Sequence, residues 1–129
     1  MAWKYDKGES GRRAKHAWDR DHAGFELVDG RPVWKCPRGI STEEAEAALN
    51  QGLEWHAPRS GVPWPQRIYI IRDGVLYRAM PTNPGTSYHA FPETGTEFRR
   101  LPAWLRQEIM ARARQLDCED QLSDWLKRT

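Results

Sequence analysis

The chain has few of the side chains that bind metals or cross-link a fold. It contains two cysteines and four histidines in 129 residues. Cys36 and Cys118 belong to no Cys-x-x-Cys pair, and the two nearest histidines, His16 and His22, are not spaced as zinc ligands usually are. We therefore expect no metal, no cofactor, and two reduced thiols rather than a disulfide.

The sequence also lacks long apolar runs and nucleotide-binding motifs. No segment approaches the roughly 20 apolar residues that span a bilayer, and the N-terminal residues contain no apolar run of signal-peptide length. We therefore expect a cytoplasmic protein without membrane association. The absence of G-x-x-x-x-G-K-[ST], G-x-G-x-x-G and G-x-S-x-G motifs argues against nucleotide-driven motors, Rossmann oxidoreductases and α/β-hydrolases.

What the chain does have is enough large apolar side chains for one folded core. Seven tryptophans and a length of 129 residues predict a single domain over residues 1–129, with residues 1–23 as an irregular N-terminal arm. The net charge of +2 is too small to indicate a polyanion ligand by itself. Residues 57–100, however, carry six arginines against three acidic side chains, so a local basic patch is plausible.

Two Asp-Gly dipeptides predict two β-hairpins. Asp29-Gly30 and Asp73-Gly74 each separate two short runs of β-prone residues, and a two-residue type I′ turn favours Asp-Gly because both central residues need positive φ. The proline-rich residues 57–66 predict a rigid loop, and residues 86–91 one more short strand. The sheet should therefore be small and antiparallel.

Helices are predicted on both sides of the main hairpin. Ser41 and Glu44 form a capping-box pattern, which predicts a helix over residues 42–51. From Pro102 onward the apolar residues recur with helical spacing, which predicts a helix over 103–116 and a second helical stretch after it. A capped helix before the hairpin and one or two helices after it indicate an α+β fold.

The register of the second hairpin sorts its side chains onto two faces. The two-residue turn puts Ile68, Ile70, Val75, Tyr77 and Ala79 on one face, which should be core. The opposite, amphipathic face carries a second set of side chains: Arg67, Tyr69, Ile71, Leu76, Arg78 and Met80. His89 lies on the next predicted strand and can reach this second face.

These side chains suit RNA chemistry. Cleavage by 2′-hydroxyl attack needs a base, an acid and fixed positive charge on the transition state. We predict catalytic roles for His89, Arg67 and Arg78, and ligand-binding roles for the neighbouring tyrosines: Tyr69, Tyr77 and Tyr88.

Residues 67–91 resemble the barnase-like microbial ribonucleases and related small bacterial toxin domains. The resemblance rests on Arg67 at the start of a strand, the pair Tyr77-Arg78 at the end of the next strand, and His89 followed by Phe91. It implies that Arg67 clamps a phosphate and that His89 is the general acid of a metal-independent ribonuclease.

The chain departs from that family in two places. The family's general-base glutamate lies on a strand just before the arginine, whereas here a proline-rich segment precedes Arg67 and the nearest upstream acidic residue is Glu54. The family's chain also ends soon after the histidine strand, whereas this chain continues to Thr129.

Two alternatives require no catalysis. The first is nucleic-acid binding, in which arginines contact phosphates and aromatic rings stack on bases. The second is a protein-binding module, such as an immunity or adaptor protein, because aromatic and arginine side chains are frequent in interface hot spots. Whether the protein is an enzyme stays open at this point.

Overall fold

The computed structural model describes residues 2–6, 24–28, 31–35 and 40–129, and for 24–28 and 31–35 it describes the backbone alone. These residues form strands and helices in the following order: β1 (Lys4–Tyr5), β2 (Gly24–Val28), β3 (Arg31–Lys35), α1 (Thr42–Asn50), β4 (Leu53–Trp55), β5 (Arg67–Arg72), β6 (Val75–Asn83), β7 (Ser87–Pro92), α2 (Gly95–Phe98), α3 (Ala103–Gln115) and α4 (Glu119–Arg128). The α+β prediction is confirmed.

The main sheet has five strands in the order β1-β7-β6-β5-β4. Its pairs are antiparallel except for β1, which runs parallel to β7. The predicted first hairpin, β2–β3, forms a separate two-stranded sheet in which Val28 pairs with Arg31. Its turn at Asp29-Gly30 lies outside the described residues, as does Cys36.

The central hairpin has the predicted register. Arg72 pairs with Val75, and the pairing continues to Ile68 and Ala79. Asp73 and Gly74 both have positive φ, at 51° and 73°, as a type I′ turn requires. The side chains of β5 and β6 therefore divide between the two faces of the sheet as the sequence indicates.

Helices α1 and α2 begin at side-chain caps. The Ser41 hydroxyl accepts a hydrogen bond from the Glu44 backbone N–H at 3.0 Å, which fixes the start of α1. A second such pair, Thr94 and Glu97, opens the short helix α2, which the sequence analysis did not predict. The predicted C-terminal helical region is two helices, α3 and α4.

Part of the expected irregular arm belongs to the sheet. Lys4 and Tyr5 pair with Ser87 and Tyr88, and the buried indole of Trp3 meets the Tyr88 ring edge-on at a centroid distance of 5.4 Å. Met1 and residues 7–23 lie outside the described residues.

Both faces of the sheet contribute to the core. Helix α1 covers the face that carries Ile68, Ile70, Tyr77 and Ala79, which we call the core face. Helices α3 and α4 pack on the opposite side, where Leu76 is fully buried. The second face is therefore less open than its amphipathic pattern suggested, because the C-terminal helices cover part of it.

Candidate functional site

One strip of the second face stays partly exposed and carries two arginines among aromatic rings. Cross-strand pairing aligns Trp55 with Arg67, Tyr69 with Arg78, and Arg78 with Phe91. Met80 and His89 form the next pair on the same side of the sheet. We call this strip the Arg–aromatic face; its members are Trp55, Arg67, Tyr69, Arg78, Met80, His89 and Phe91.

Arg67 is held by aromatic neighbours. Its Nη1 donates a hydrogen bond to the Tyr69 hydroxyl at 3.1 Å, and its guanidinium carbon lies 5.3 Å from the centroid of the Trp55 ring. Within the described part of the chain it forms no ion pair with a carboxylate. Its positive charge is therefore not paired directly with a described carboxylate, although it acts on the Glu93 carboxylate at a longer distance. The side chain is half-buried.

Arg78 lies between an aromatic ring and a buried carboxylate. Its guanidinium carbon is 4.8 Å from the centroid of the Phe91 ring, and its Nε is 3.5 Å from Oε2 of Glu93. Neither of those two atoms has a hydrogen-bond partner among the described residues, so the contact is an ion pair without hydrogen-bond alignment. The Arg78 side chain is 18% exposed, which leaves part of it within reach of a ligand.

The sequence analysis missed Glu93. This residue follows β7, where its backbone N–H donates to the carbonyl of Leu76 at 2.8 Å and its carbonyl accepts from the Trp125 indole at 2.8 Å. It is 1% exposed, and this burial raises the pKa of its carboxyl, although the neighbouring Arg78 opposes the rise. The signal that could have found it is alternation: His89, Phe91 and Glu93 are spaced by two along one strand.

Tyr69 forms the buried floor of the face. It is 3% exposed, and burial raises the pKa of its hydroxyl while the hydrogen bond from Arg67 opposes the rise. The hydroxyl therefore stays neutral near pH 7 and fixes the direction of the Arg67 side chain.

His89 lies at the open end of the face. Its Nδ1 is 2.7 Å from the Thr82 hydroxyl, and its ring stacks on Phe91 at a centroid distance of 6.3 Å. It is half-buried rather than enclosed. Because His89 pairs with Met80, it is a diagonal neighbour of Arg78, at a backbone separation of about 7–8 Å.

Tyr77 and Tyr88 are not part of this arrangement. Both are buried on the core face, and the Tyr88 hydroxyl donates to the carbonyl of Pro65 at 2.6 Å. Burial raises the pKa of Tyr88 to about 12. The structure thus brings four of the six candidate residues to one face and places these two tyrosines on the other.

Across residues 2–6 and 40–129, no group of three or more histidine, cysteine, aspartate or glutamate side chains could hold a metal ion. No helix in the described ranges is long and apolar enough to cross a membrane. Cys118, the one cysteine that these ranges include, is a free thiol.

Comparison with protein-family models, with curated proteins and with solved structures finds no match to this chain.

Proposed function

We propose that this protein binds single-stranded RNA through the Arg–aromatic face. The observation that carries the proposal is the pair of arginines on one partly exposed strip, each with its guanidinium carbon over an aromatic ring. Proteins that bind single strands combine positive charge along the backbone with rings on which bases stack. Trp55 and Phe91 supply such rings beside Arg67 and Arg78.

The arginines suit phosphodiester contacts. A guanidinium over a ring keeps its N–H donors directed outward in its own plane, and two parallel N–H groups match two phosphate oxygens. Arg67 is the stronger candidate, because it forms no direct ion pair with a described carboxylate. Arg78 would share its charge between the ligand and Glu93.

Binding is favoured over cleavage because only one proton-transfer group of the required type lies on the face. Metal-independent cleavage by 2′-hydroxyl attack needs a second group besides His89 to act as base or acid. Glu93 is the nearest carboxylate along β7, but it is buried and so cannot touch a ligand in this conformation. We therefore assign His89 a contact with RNA rather than a catalytic role.

A protein-binding role is the second candidate. Trp104 on α3 is 55% exposed, and tryptophan is a frequent hot-spot residue. Leu116, the other large exposed apolar side chain of the described residues, follows the far end of the same helix. A helix of this length separates them by roughly 18 Å. They therefore do not form one apolar patch, and this role has less support.

The test is binding of a fluorescently labelled oligouridylate, measured by anisotropy at several salt concentrations. Replacing Arg67 with alanine should weaken binding about tenfold or more, because a charge-assisted hydrogen bond to phosphate is lost. The slope of log affinity against log salt should also fall by about 0.7, the value for one phosphate contact on a single strand.

Arg72→Ala is the matched control. Arg72 lies on the same strand as Arg67 but on the core-face side, where it pairs with Glu44 at 2.8 Å. The Arg72→Ala substitution should leave the affinity for RNA and the salt slope unchanged. Equal losses in the two variants would mean unspecific attraction to surface charge, and absence of binding by the unmodified protein would overturn the proposal.

The same samples distinguish binding from cleavage. We expect the RNA to stay intact after incubation with the protein. Cleavage that disappears in a His89→Ala variant would instead establish a ribonuclease with His89 as a catalytic residue.

A further inference from the structure

The contact between Glu93 and Arg78 is unusual for a surface strip of a sheet. The carboxylate is buried, its Oε2 faces the arginine Nε at 3.5 Å, and both atoms lack hydrogen-bond partners in the described residues. Buried carboxylates normally accept several hydrogen bonds, because burial without them disfavours the charged form. The charge of Glu93 therefore depends on Arg78.

Among the residues whose side chains the structure describes, the groups around Glu93 come from four elements. Arg78 on β6 and Arg67 on β5 stabilise its charged form, whereas Glu97 on α2 opposes it. Tyr69 on β5 also interacts with it electrostatically, and α4 contributes the neutral Trp125 indole, which donates to the Glu93 carbonyl. The nearby backbone N–H of Thr94 also favours the charged form and lowers the pKa of the Glu93 carboxyl. Both cations that stabilise the carboxylate thus belong to the Arg–aromatic face.

A phosphate on that face would act on Glu93 without touching it. Its negative charge would lie next to the same guanidinium groups and would offset their attraction for the carboxylate. The buried carboxylate would then carry a charge that its surroundings no longer stabilise, and the lower-energy alternative is the neutral acid.

We propose that binding of a phosphodiester at Arg67 and Arg78 is coupled to the uptake of one proton by the Glu93 carboxylate. The proton comes from solvent and forms an O–H bond on a carboxylate oxygen, so that one negative charge enters the site as one is neutralised. This inference rests on the proposed function, and it adds that affinity for RNA rises as the pH falls.

The coupling follows from linkage between proton and ligand binding. If Glu93 is ionised in the free protein and protonated in the complex, the slope of log affinity against pH approaches about minus one. Where the free protein already holds the proton, the slope falls to zero. The affinity for RNA therefore changes with pH between the pKa of Glu93 in the free protein and its pKa in the complex, and binding is tighter on the acidic side.

The experiment measures proton uptake by calorimetry. Oligouridylate with hydroxyl ends is titrated into the protein in two buffers that differ in heat of ionisation. This RNA is chosen because it carries no group that titrates between about pH 5 and pH 8. A histidine side chain ordinarily titrates in that range, so the measurements use a His89→Gln background. We expect up to one proton taken up per RNA bound, and none when Glu93→Gln is added.

Glu97→Gln is the control for removal of a nearby carboxylate. Glu97 is more exposed and pairs with Arg100 rather than with Arg78, so its replacement should leave the proton uptake in place. Equal uptake with and without Glu93 would overturn the inference while leaving RNA binding established. Absence of binding by the unmodified protein would overturn the proposed function and this inference with it.

A second measurement does not depend on the Glu93→Gln variant folding. The carboxyl carbon of Glu93 is followed by NMR over a pH series in the His89→Gln protein, with and without oligouridylate. We expect its titration midpoint to move to higher pH in the complex, and an unmoved midpoint in protein that binds the RNA would overturn the inference.

Discussion

Two glutamates that each face an arginine differ in how their surroundings shift the carboxyl pKa. Glu44 lies at the exposed start of α1, where the hydrogen bond from Arg72 lowers its pKa. Glu93 lies beneath the Arg–aromatic face, where burial raises its pKa despite Arg78. The deciding difference is hydration, because solvent stabilises the charge of the first and not of the second.

This contrast predicts opposite effects of pH on the free energy of unfolding. A folded-state pKa below the unfolded value stabilises the fold at high pH, and this stabilisation is lost as the pH falls. A raised folded-state pKa stabilises the fold at low pH, and this stabilisation is lost as the pH rises. Relative to Glu93→Gln, the unmodified protein should therefore lose stability as the pH rises from about 4 to 8. Relative to Glu44→Gln, it should gain stability as the pH rises toward the ordinary glutamate pKa of 4.5, and the difference should stay constant above that pH.

Urea unfolding followed by tryptophan fluorescence at several pH values measures both differences. A Glu93→Gln protein whose stability changes with pH in parallel with the unmodified protein would mean that burial does not govern this carboxyl.

The positions of Arg67, Tyr69 and Arg78 could be predicted because a two-residue turn fixes the register of the whole hairpin. The burial of Glu93 next to Arg78 could not be predicted from the sequence. Its burial depends on how α4 docks against the end of β7, and the periodicity of a helix shows which side is apolar without showing what it covers. The burial of Tyr69 was missed for the same reason.

Local signals also decided which elements could be predicted. The β5–β6 hairpin and α1 carry turn and capping residues within a few positions. Strand β1 has two residues and pairs with β7, more than 80 positions away, so no local pattern reveals it. Strand β4 has only three residues. The capping pair of α2 was present in the sequence, but it opens only a single turn of helix.

The turn at Gly74 is where the hairpin meets α4. Gly74 has a φ of 73°, and an added Cβ would overlap the Cβ of Gln121 in α4. Gly61 has a similar φ of 71°, but a Cβ added there would meet no atom of the described residues within 4 Å. Alanine substitutions at the two glycines therefore separate the free-energy cost of the backbone conformation from the cost of a packing clash.

Gly61→Ala should lower the free energy of unfolding by about 1 kcal/mol, the cost of a left-handed conformation at a residue with a Cβ. Gly74→Ala should lose that amount and roughly 1–3 kcal/mol more, because α4 must move. Urea unfolding of both variants checks this. Equal losses would mean that α4 does not press on the turn.

The layers of the molecule explain why the candidate site lies where it does. Helix α1 covers the core face, and α3 and α4 cover the side of the second face that carries Leu76 and Ile71. The half-buried members Trp55, Arg67 and His89 lie beyond Tyr69, away from that covered side. A strip of the sheet thus combines a rigid, buried floor with charged groups that a ligand can reach.

The most direct test of RNA binding by the Arg–aromatic face is to map the contact on ¹⁵N-labelled protein by NMR during titration with oligouridylate. We predict that the largest changes occur at the Trp55 indole and at the backbone amides of Arg67, Arg78 and Phe91. The amides of α1, on the opposite side of the sheet, should stay in place. A spectrum that does not change, or changes centred on α1, would contradict the assignment of this face as the RNA-binding site.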